Sequence, residues 1–364
     1  MRKQLPLLLL GFFFTLSAWA ADAPKPDSAD ATRAAFLKLI DRPKVAPAVE
    51  IKDTGEIHGV AHAHFTYASF GTQRVPGIWA KPAKVTGRLP VVIMLHGTGG
   101  KKEDFNAEME KYAHAGFMAV AIDGPFHGER APSAKIPGSE KNADYEAAIL
   151  AAWRTGQGHP FFYDTVWDVM RLVDYLQTRD DVDPKRIGLM GVSKGGIETY
   201  LTAAADHRIA VAVPFIGAES FRYALDHDLW SHRTETIPIA LSGAAKDAGV
   251  AKVDADFVRK FYDKVAPGIY SQFDGPAMIP LIAPRPLLIV NGELDLRTPK
   301  AGVDECLANA QPIYDAAKTP GALKFMAEPK TQHKVTPEGY QAGFDWFKQW
   351  LKPEAPVEAP VNTK

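Results

Sequence analysis

Ile187-Gly188-Leu189-Met190-Gly191-Val192-Ser193-Lys194-Gly195-Gly196 joins a short apolar run to a helix-forming run that ends near Ala205. A strand that turns straight into a helix must fold back tightly at Ser193. Glycine two residues before and two after leaves room for that turn, where side chains would clash. The spacing predicts a serine on a strained elbow, its hydroxyl exposed and the following amide pointing at the same spot. An acyl-transfer nucleophile needs that geometry. Gly-x-Ser-x-Gly also arises by chance in many chains, so a base, an acid and an oxyanion site must appear elsewhere in the right order.

Outward from the elbow, the chain keeps a strand–helix beat. Leu89–Leu95 (LPVVIML) is a continuous apolar run, as expected of a strand buried on both faces, and 117–122 (FMAVAI) is a second. Residues 103–113 between them read as helix. Residues 161–178 read as a long amphipathic helix, with Val166, Met170, Val173 and Leu176 on one stripe. The elbow strand is 187–190. Strands follow at Ile209–Phe215, 286–290 and 323–327, and a closing helix at 340–351. Upstream, 30–40 reads as a helix capped by Ser28 or Asp30. Residues 59–67 and 73–81 read as antiparallel strands about a turn at 69–72. The predicted fold class is α/β, a mostly parallel sheet with helices on both faces. Residues 218–281 break the beat. They are helical and aromatic, with Phe221, Trp230, Phe257, Tyr262 and Tyr270 among them, and read as a cap insertion over the active-site edge. Residues 143–162 read as a smaller piece of the same cap. Aromatic-rich segments of this kind more often form their own core than a substrate platform.

The whole chain has 364 residues, 46% hydrophobic and 23% charged, with a formal net charge of −1. That is an ordinary globular composition with no basic excess for nucleic acid. Partner choice must come from a pocket, and the expected partner is a small-molecule ester. Residues 1–20 read as a signal peptide: Arg2 and Lys3, an apolar run at 7–16 too short to anchor in a bilayer, and Ala18-Trp19-Ala20 before the cleavage point. Export to a bacterial periplasm or beyond is expected, with no membrane attachment after cleavage. The α/β domain is expected over 21–352 and a disordered tail over 353–364. Cys306 is the single cysteine, so no internal disulfide forms. His58, His62 and His64 fall on the upstream strands, and with no Cys, Asp or Glu cluster beside them in sequence they read as strand residues, not metal ligands.

Three loops supply partners for Ser193. His96-Gly97-Thr98-Gly99-Gly100 follows the buried strand at Leu89–Leu95, and a glycine-rich loop lets backbone amides approach a negative oxygen. The amide of Thr98, with Gly99 next in line, is one expected oxyanion donor; the amide of Lys194 is the other. A phosphate-binding loop is disfavoured, because Gly100 is followed by Lys101-Lys102 and not by Gly-Lys-Ser/Thr. Asn291-Gly292-Glu293-Leu294-Asp295 follows the strand at 286–290, and loops at the carboxyl ends of parallel strands hold the sites of such sheets. Asp295 is the expected acid and Glu293 the runner-up. His333, between the last strand and the closing helix, is the expected base. His127 competes but precedes the serine. The order Ser193, Asp295, His333 is the one this architecture imposes.

These pieces, with Asp123-Gly124-Pro125-Phe126-His127-Gly128 and Val182-Asp183-Pro184-Lys185-Arg186-Ile187, resemble the α/β-hydrolase superfamily, in its dienelactone-hydrolase, acetyl-xylan-esterase and prolyl-oligopeptidase-like branch. The resemblance covers residues 89–351. It implies a serine hydrolase of carboxylic esters that needs no metal or organic cofactor, with Ser193, Asp295 and His333 as the triad and the amides of Thr98 and Lys194 as the oxyanion hole. Dienelactone hydrolases proper carry a cysteine where this chain has Ser193, which favours a general esterase. The stretch before Leu89 is too short for the propeller of prolyl-oligopeptidase-type enzymes. A peptidase needs a carboxylate pair for a peptide amine, for which Glu219 and Asp226 are the candidates. A non-catalytic binding module is the remaining alternative. The side chain of Lys194 is expected to face solvent, since the chemistry needs only its amide.

Overall fold

The structure, a computed structural model, describes residues 28–84, 87–135 and 142–353. The expected signal peptide and the tail after Pro353 lie outside the described residues. Among these, nine strands form one sheet: β1 (Glu50–Ile57), β2 (Val60–Phe70), β3 (Gln73–Pro82), β4 (Leu89–Leu95), β5 (Met118–Ile122), β6 (Val182–Val192), β7 (Ile209–Phe215), β8 (Leu287–Gly292) and β9 (Leu323–Glu328). Their order is β1-β2-β3-β5-β4-β6-β7-β8-β9. β1, β2, β3 and β5 pair antiparallel, and every pairing from β5 through β4 to β9 is parallel. The sheet is thus mostly parallel, as read from the sequence, with an antiparallel meander on one edge over residues 50–82, the stretch from Val49 to Lys81 that reads as antiparallel strands.

The patterning explains the split. All residues of β4, β5 and β8 are buried, because helices cover both faces of the sheet there. β2 instead alternates buried and half-buried positions, which puts Ala63, Phe65 and Tyr67 inside and His62, His64 and Thr66 on the other face. His62 Nε2 lies 2.9 Å from Glu110 and His64 Nε2 2.8 Å from Glu129, partners far away in sequence. Among the described residues no group of three or more His, Cys, Asp or Glu is arranged to hold a metal ion.

The helices are α1 (Ala29–Ile40), α2 (Asn106–His114), α3 (Ala143–Thr155), α4 (Tyr163–Leu176), α5 (Lys194–Ala205), α6 (Phe221–Asp226), α7 (Trp230–Thr234), α8 (Pro238–Asp247), α9 (Ala255–Val265), α10 (Gly275–Met278), α11 (Lys300–Ala316) and α12 (Pro337–Leu351). Ser28 caps α1 by accepting from Ala31 N–H at 3.3 Å. α4 buries Val166, Val169, Leu172, Val173 and Leu176, a broader stripe than periodicity alone indicated, and Met170 sits at its margin. α6 to α10 all lie between β7 and β8. Their aromatic side chains pack inward: Phe221, Phe261 and Tyr262 are fully buried, and Phe257, Tyr270 and Phe273 nearly so. α3 packs against α8 and α9, with Trp153 edge-on to Phe257 at 5.8 Å. These rings extend the core on one face of the sheet, with Phe273 packed on Phe36 of α1, and each buried ring adds about 1.5–3 kcal/mol of hydrophobic stabilisation to it. No described helix is long and apolar enough to cross a membrane.

Candidate active site

Ser193 stands between β6 and α5 with φ 56° and ψ −115°, far from ordinary backbone for a residue with a side chain. Strain of this kind costs on the order of 1–3 kcal/mol and persists only where the surroundings enforce it. Here they do. Ser193 N–H donates to Phe215 O of β7 at 2.9 Å, and its carbonyl accepts from Ile197 N–H at 3.0 Å. A Cβ on Gly191 would lie 2.3 Å from Gly195 O, and one on Gly195 would lie 2.2 Å from Leu95 O. The two glycines of the motif are needed for close approach of backbone to backbone.

The loops after β8 and β9 bring the acid and the base to this elbow. Ser193 Oγ is 2.8 Å from His333 Nε2, and His333 Nδ1 is 2.7 Å from Asp295 Oδ2. The consistent tautomer has Nδ1–H donating to the carboxylate and Nε2 accepting from the serine hydroxyl. Asp295 is 2% exposed. Its other oxygen accepts from the backbone N–H of Arg297 at 2.9 Å and of Thr298 at 3.1 Å, so the carboxylate is held from two sides. Glu293, the alternative acid, is exposed and accepts from Lys330 N–H. His127, the alternative base, is buried elsewhere and donates from Nδ1 to Pro125 O at 2.8 Å.

The loop after β4 is anchored through charge. Lys102 is fully buried; its Nζ donates to Asp123 Oδ2 at 2.8 Å and its N–H to Asp123 Oδ1 at 2.9 Å. Asp123 also accepts from Glu129 N–H, which ties the loop after β5 to the same point. The Asp-Gly-Pro-Phe-His-Gly stretch is therefore a brace for the glycine-rich loop. His96 Nε2 accepts from Gly124 N–H at 3.0 Å while Nδ1 donates to Gly97 O at 2.8 Å, which defines a neutral imidazole. Thr98 lines the same small cavity as Ser193 and Lys194.

Lys194 corrects the sequence reading. Its side chain does not face solvent: it is buried, with Nζ 2.6 Å from Glu198 Oε1, itself 1% exposed. The ammonium also lies 5.7 Å from the Tyr145 ring centroid of α3. Burial, and then the Lys194 charge, push His96 down to about 3 and His127 down to about 2, so both imidazoles stay neutral at working pH. The spacing of Lys194 and Glu198, one helical turn apart, was the available signal.

Two cavities meet at the site. The inner one, about 20 Å³, is walled by Phe161, Phe162 and Ile197 beside Ser193, with Arg233 opposite. It has room for a group of about one water molecule's size. The outer one, about 690 Å³, opens past His333 and Asp295 between Leu294, Leu296, Lys330 and Lys334. His232 and Arg297 border both. Arg233 is a residue that sequence reasoning missed. Its Nη2 lies 2.9 Å from Glu219 Oε1, its Nη1 donates to Arg297 O at 2.8 Å, and its guanidinium lies 4.7 Å from the Phe221 ring. Burial raises the Glu219 carboxyl to about 8 against the opposing pull of Arg233. Glu219 and Asp226 do not form the carboxylate pair that a peptide amine would need: Glu219 is buried against Arg233, and Asp226 pairs with Arg259 at 3.4 Å.

The acetyl xylan esterase (AXE1) family profile matches residues 15–231, and the fungal glucuronyl esterase profile matches residues 161–318. A Bacillus subtilis (strain 168) protein named as a hydrolase, YtaP, is 26% identical over 257 residues, covering 67% of this chain and 73% of its own. The 4-O-methyl-glucuronoyl methylesterase of Thermothelomyces thermophilus is 25% identical over 252 residues, 62% of this chain and 59% of its own. Among solved structures, acetyl xylan esterase 1 from Thermoanaerobacterium sp. superposes with a TM-score of 0.65 at 19% identity, covering 90% of this chain and 95% of that one. The fold is that of the α/β-hydrolases, mixed α/β with a mostly parallel sheet.

Proposed function

Because the chain belongs to the acetyl xylan esterase (AXE1) family and is a carboxylic-ester hydrolase, we propose that it is an exported serine esterase that removes small acyl groups, acetyl foremost, from alcohols such as saccharide hydroxyls. The observation that carries this reading is the unbroken chain of contacts from Ser193 Oγ through His333 to Asp295, at 2.8 and 2.7 Å. In the first half-reaction His333 Nε2 takes the serine proton as Oγ attacks the ester carbonyl. Asp295 holds the ring in the needed tautomer and stabilises its charged form. The amides of Thr98 and Lys194 receive the oxyanion, and the loss of one such donor typically costs on the order of 100- to 1000-fold in turnover. His333 then protonates the leaving alcohol, and water repeats the sequence to free the acid.

The inner cavity supports a small acyl group: its aromatic and aliphatic walls leave space for a methyl but not a longer chain. We assign residues 218–281 the role of a cap, since Arg233 and Thr236 from this segment close that cavity. The buried state of its rings favours the reading of an aromatic core that positions the cap, not of a sugar-stacking platform. Cleavage of the signal peptide after Ala20 belongs to the same proposal, and the N-terminal mass of the exported protein tests it.

The test is hydrolysis of p-nitrophenyl acetate, butyrate and octanoate by the parent and by Ser193→Ala. Turnover should fall along the series and be lost in the variant. Activity of Ser193→Ala within a few-fold of the parent would remove the proposal. An aminoacyl-amide panel run beside it separates esterase from peptidase, and labelling by a fluorophosphonate separates either from a binding module.

A further inference from the structure

The outer cavity carries more positive charge than the chemistry of ester cleavage uses. Its carboxylates are already committed: Asp295 to His333, and Glu235 to Arg297 at 2.7 Å and to His232 at 2.6 Å. Glu293, beside the rim, accepts from the backbone N–H of Lys330 at 3.0 Å and keeps its negative charge there, so the anion must be held on the side of Lys330 and Lys334 away from it. Lys330 and Lys334, both exposed on the cavity rim, form no ion pair among the described residues.

The backbone at Lys330 is closely defined. Its φ is 55°, the left-handed region where glycine or asparagine is the economical choice. A lysine held there gains nothing for the turn. Lys318 and Lys352 share that region at helix ends outside the cavity, so the conformation belongs to the turn; at Lys330 it fixes the residue in the loop that carries His333.

We propose that the outer cavity binds a leaving alcohol that bears a carboxylate, as an acetylated acidic sugar does, with Lys330 and Lys334 holding the anion while the ester reaches Ser193. The inference rests on the esterase reading and names its substrate class. Arg297 stays with Glu235 and forms the wall between the two lysines and the inner cavity. The open mouth keeps the ammonium groups hydrated. Each therefore contributes the modest energy of an exposed ion pair, about threefold in selectivity, and the pair gives about tenfold together. The long-range part of the attraction is screened by salt.

The experiment compares acetate release from singly acetylated glucuronic acid and singly acetylated glucose, which differ by a carboxylate in place of a hydroxymethyl group. The parent should favour the charged substrate about tenfold in kcat/KM at low salt, and the ratio should shrink toward one at high salt. Lys330→Gly should cut the ratio about threefold while its melting temperature holds or rises, because glycine relieves the positive φ. Adding Lys334→Ala should bring the ratio close to one. Equal hydrolysis of both substrates by the parent at low salt, or a ratio that the two substitutions leave in place, overturns the proposal alone. Failure of the parent to hydrolyse either acetate, with Ser193→Ala no different, overturns the esterase reading beneath it as well.

Discussion

Two buried pairs of a basic and an acidic side chain flank Ser193, and they are built on opposite plans. Lys194–Glu198 lies within a single helix, one turn apart, on the element that Ser193 leads into. Arg233–Glu219 joins α7 of the inserted segment to the loop after β7. Among the described residues, the first pair has only uncharged rings around its ammonium, those of Tyr145, His96 and His127. The second is cross-braced, since Arg233 also donates to Arg297 O and faces the Phe221 ring. Burying charge is costly on either plan. The difference lies in what remains when one partner is lost. The local pair leaves a bare charge beneath the oxyanion site, while the braced pair leaves a guanidinium with other contacts.

The largest effect sets the scale for that comparison. Ser193→Ala should lower turnover on p-nitrophenyl acetate by on the order of 10⁴-fold or more while leaving the urea midpoint in place, because neither ion pair is touched. Glu198→Ala should destabilise the fold by about 3–5 kcal/mol in urea unfolding, the cost of an uncompensated buried charge. The double change Lys194→Met, Glu198→Leu should recover most of that, because no charge is then buried. Failure to recover it would mean that the pair supports the elbow in some way besides charge balance. Glu219→Ala should cost less, about 1–3 kcal/mol, since Arg233 keeps a carbonyl partner. A loss equal to that of Glu198→Ala would erase the distinction.

The last effect is on pH dependence. Glu219 is raised to about 8 by burial and Asp274 to about 7 by burial, so the folded state keeps protons that the unfolded chain releases near 4. The stability linked to those protons is complete below the unfolded values and is lost as pH rises through the folded ones. The urea midpoint should therefore fall between pH 5 and pH 8, and Glu219→Gln should flatten that fall. An unchanged slope in the variant would assign it to Asp274 alone.

The same contrast explains what was legible in the sequence. The elbow, the buried strands and the order of Ser193, Asp295 and His333 follow from local patterns: glycine spacing, apolar runs, and loops at strand ends. The structure brings those three side chains together. The side chain of Lys194 was expected in solvent because the proposed chemistry needs only its amide, and its burial depends on Tyr145 and the two neutral histidines packed around it. The insertion was recognised by its break in rhythm, but its individual contacts were not. Arg233 reaches the site through folding of α6 to α9 on one another, and no period in the sequence encodes that. The inner walls, Phe161 and Phe162, precede α4 and had been counted in its first turn.

The unequal size of the two cavities has a kinetic corollary. In the proposed acyl-enzyme cycle, an acyl group that fills the inner space beside Ser193 leaves water no room to approach from that side. It must arrive through the wide mouth, along the route that the departing alcohol has just vacated. Release of the first product is thereby obligatory before the second step begins. Acetates of unrelated alcohols then share one intermediate, and their maximal rates converge on a common ceiling wherever its breakdown is slowest.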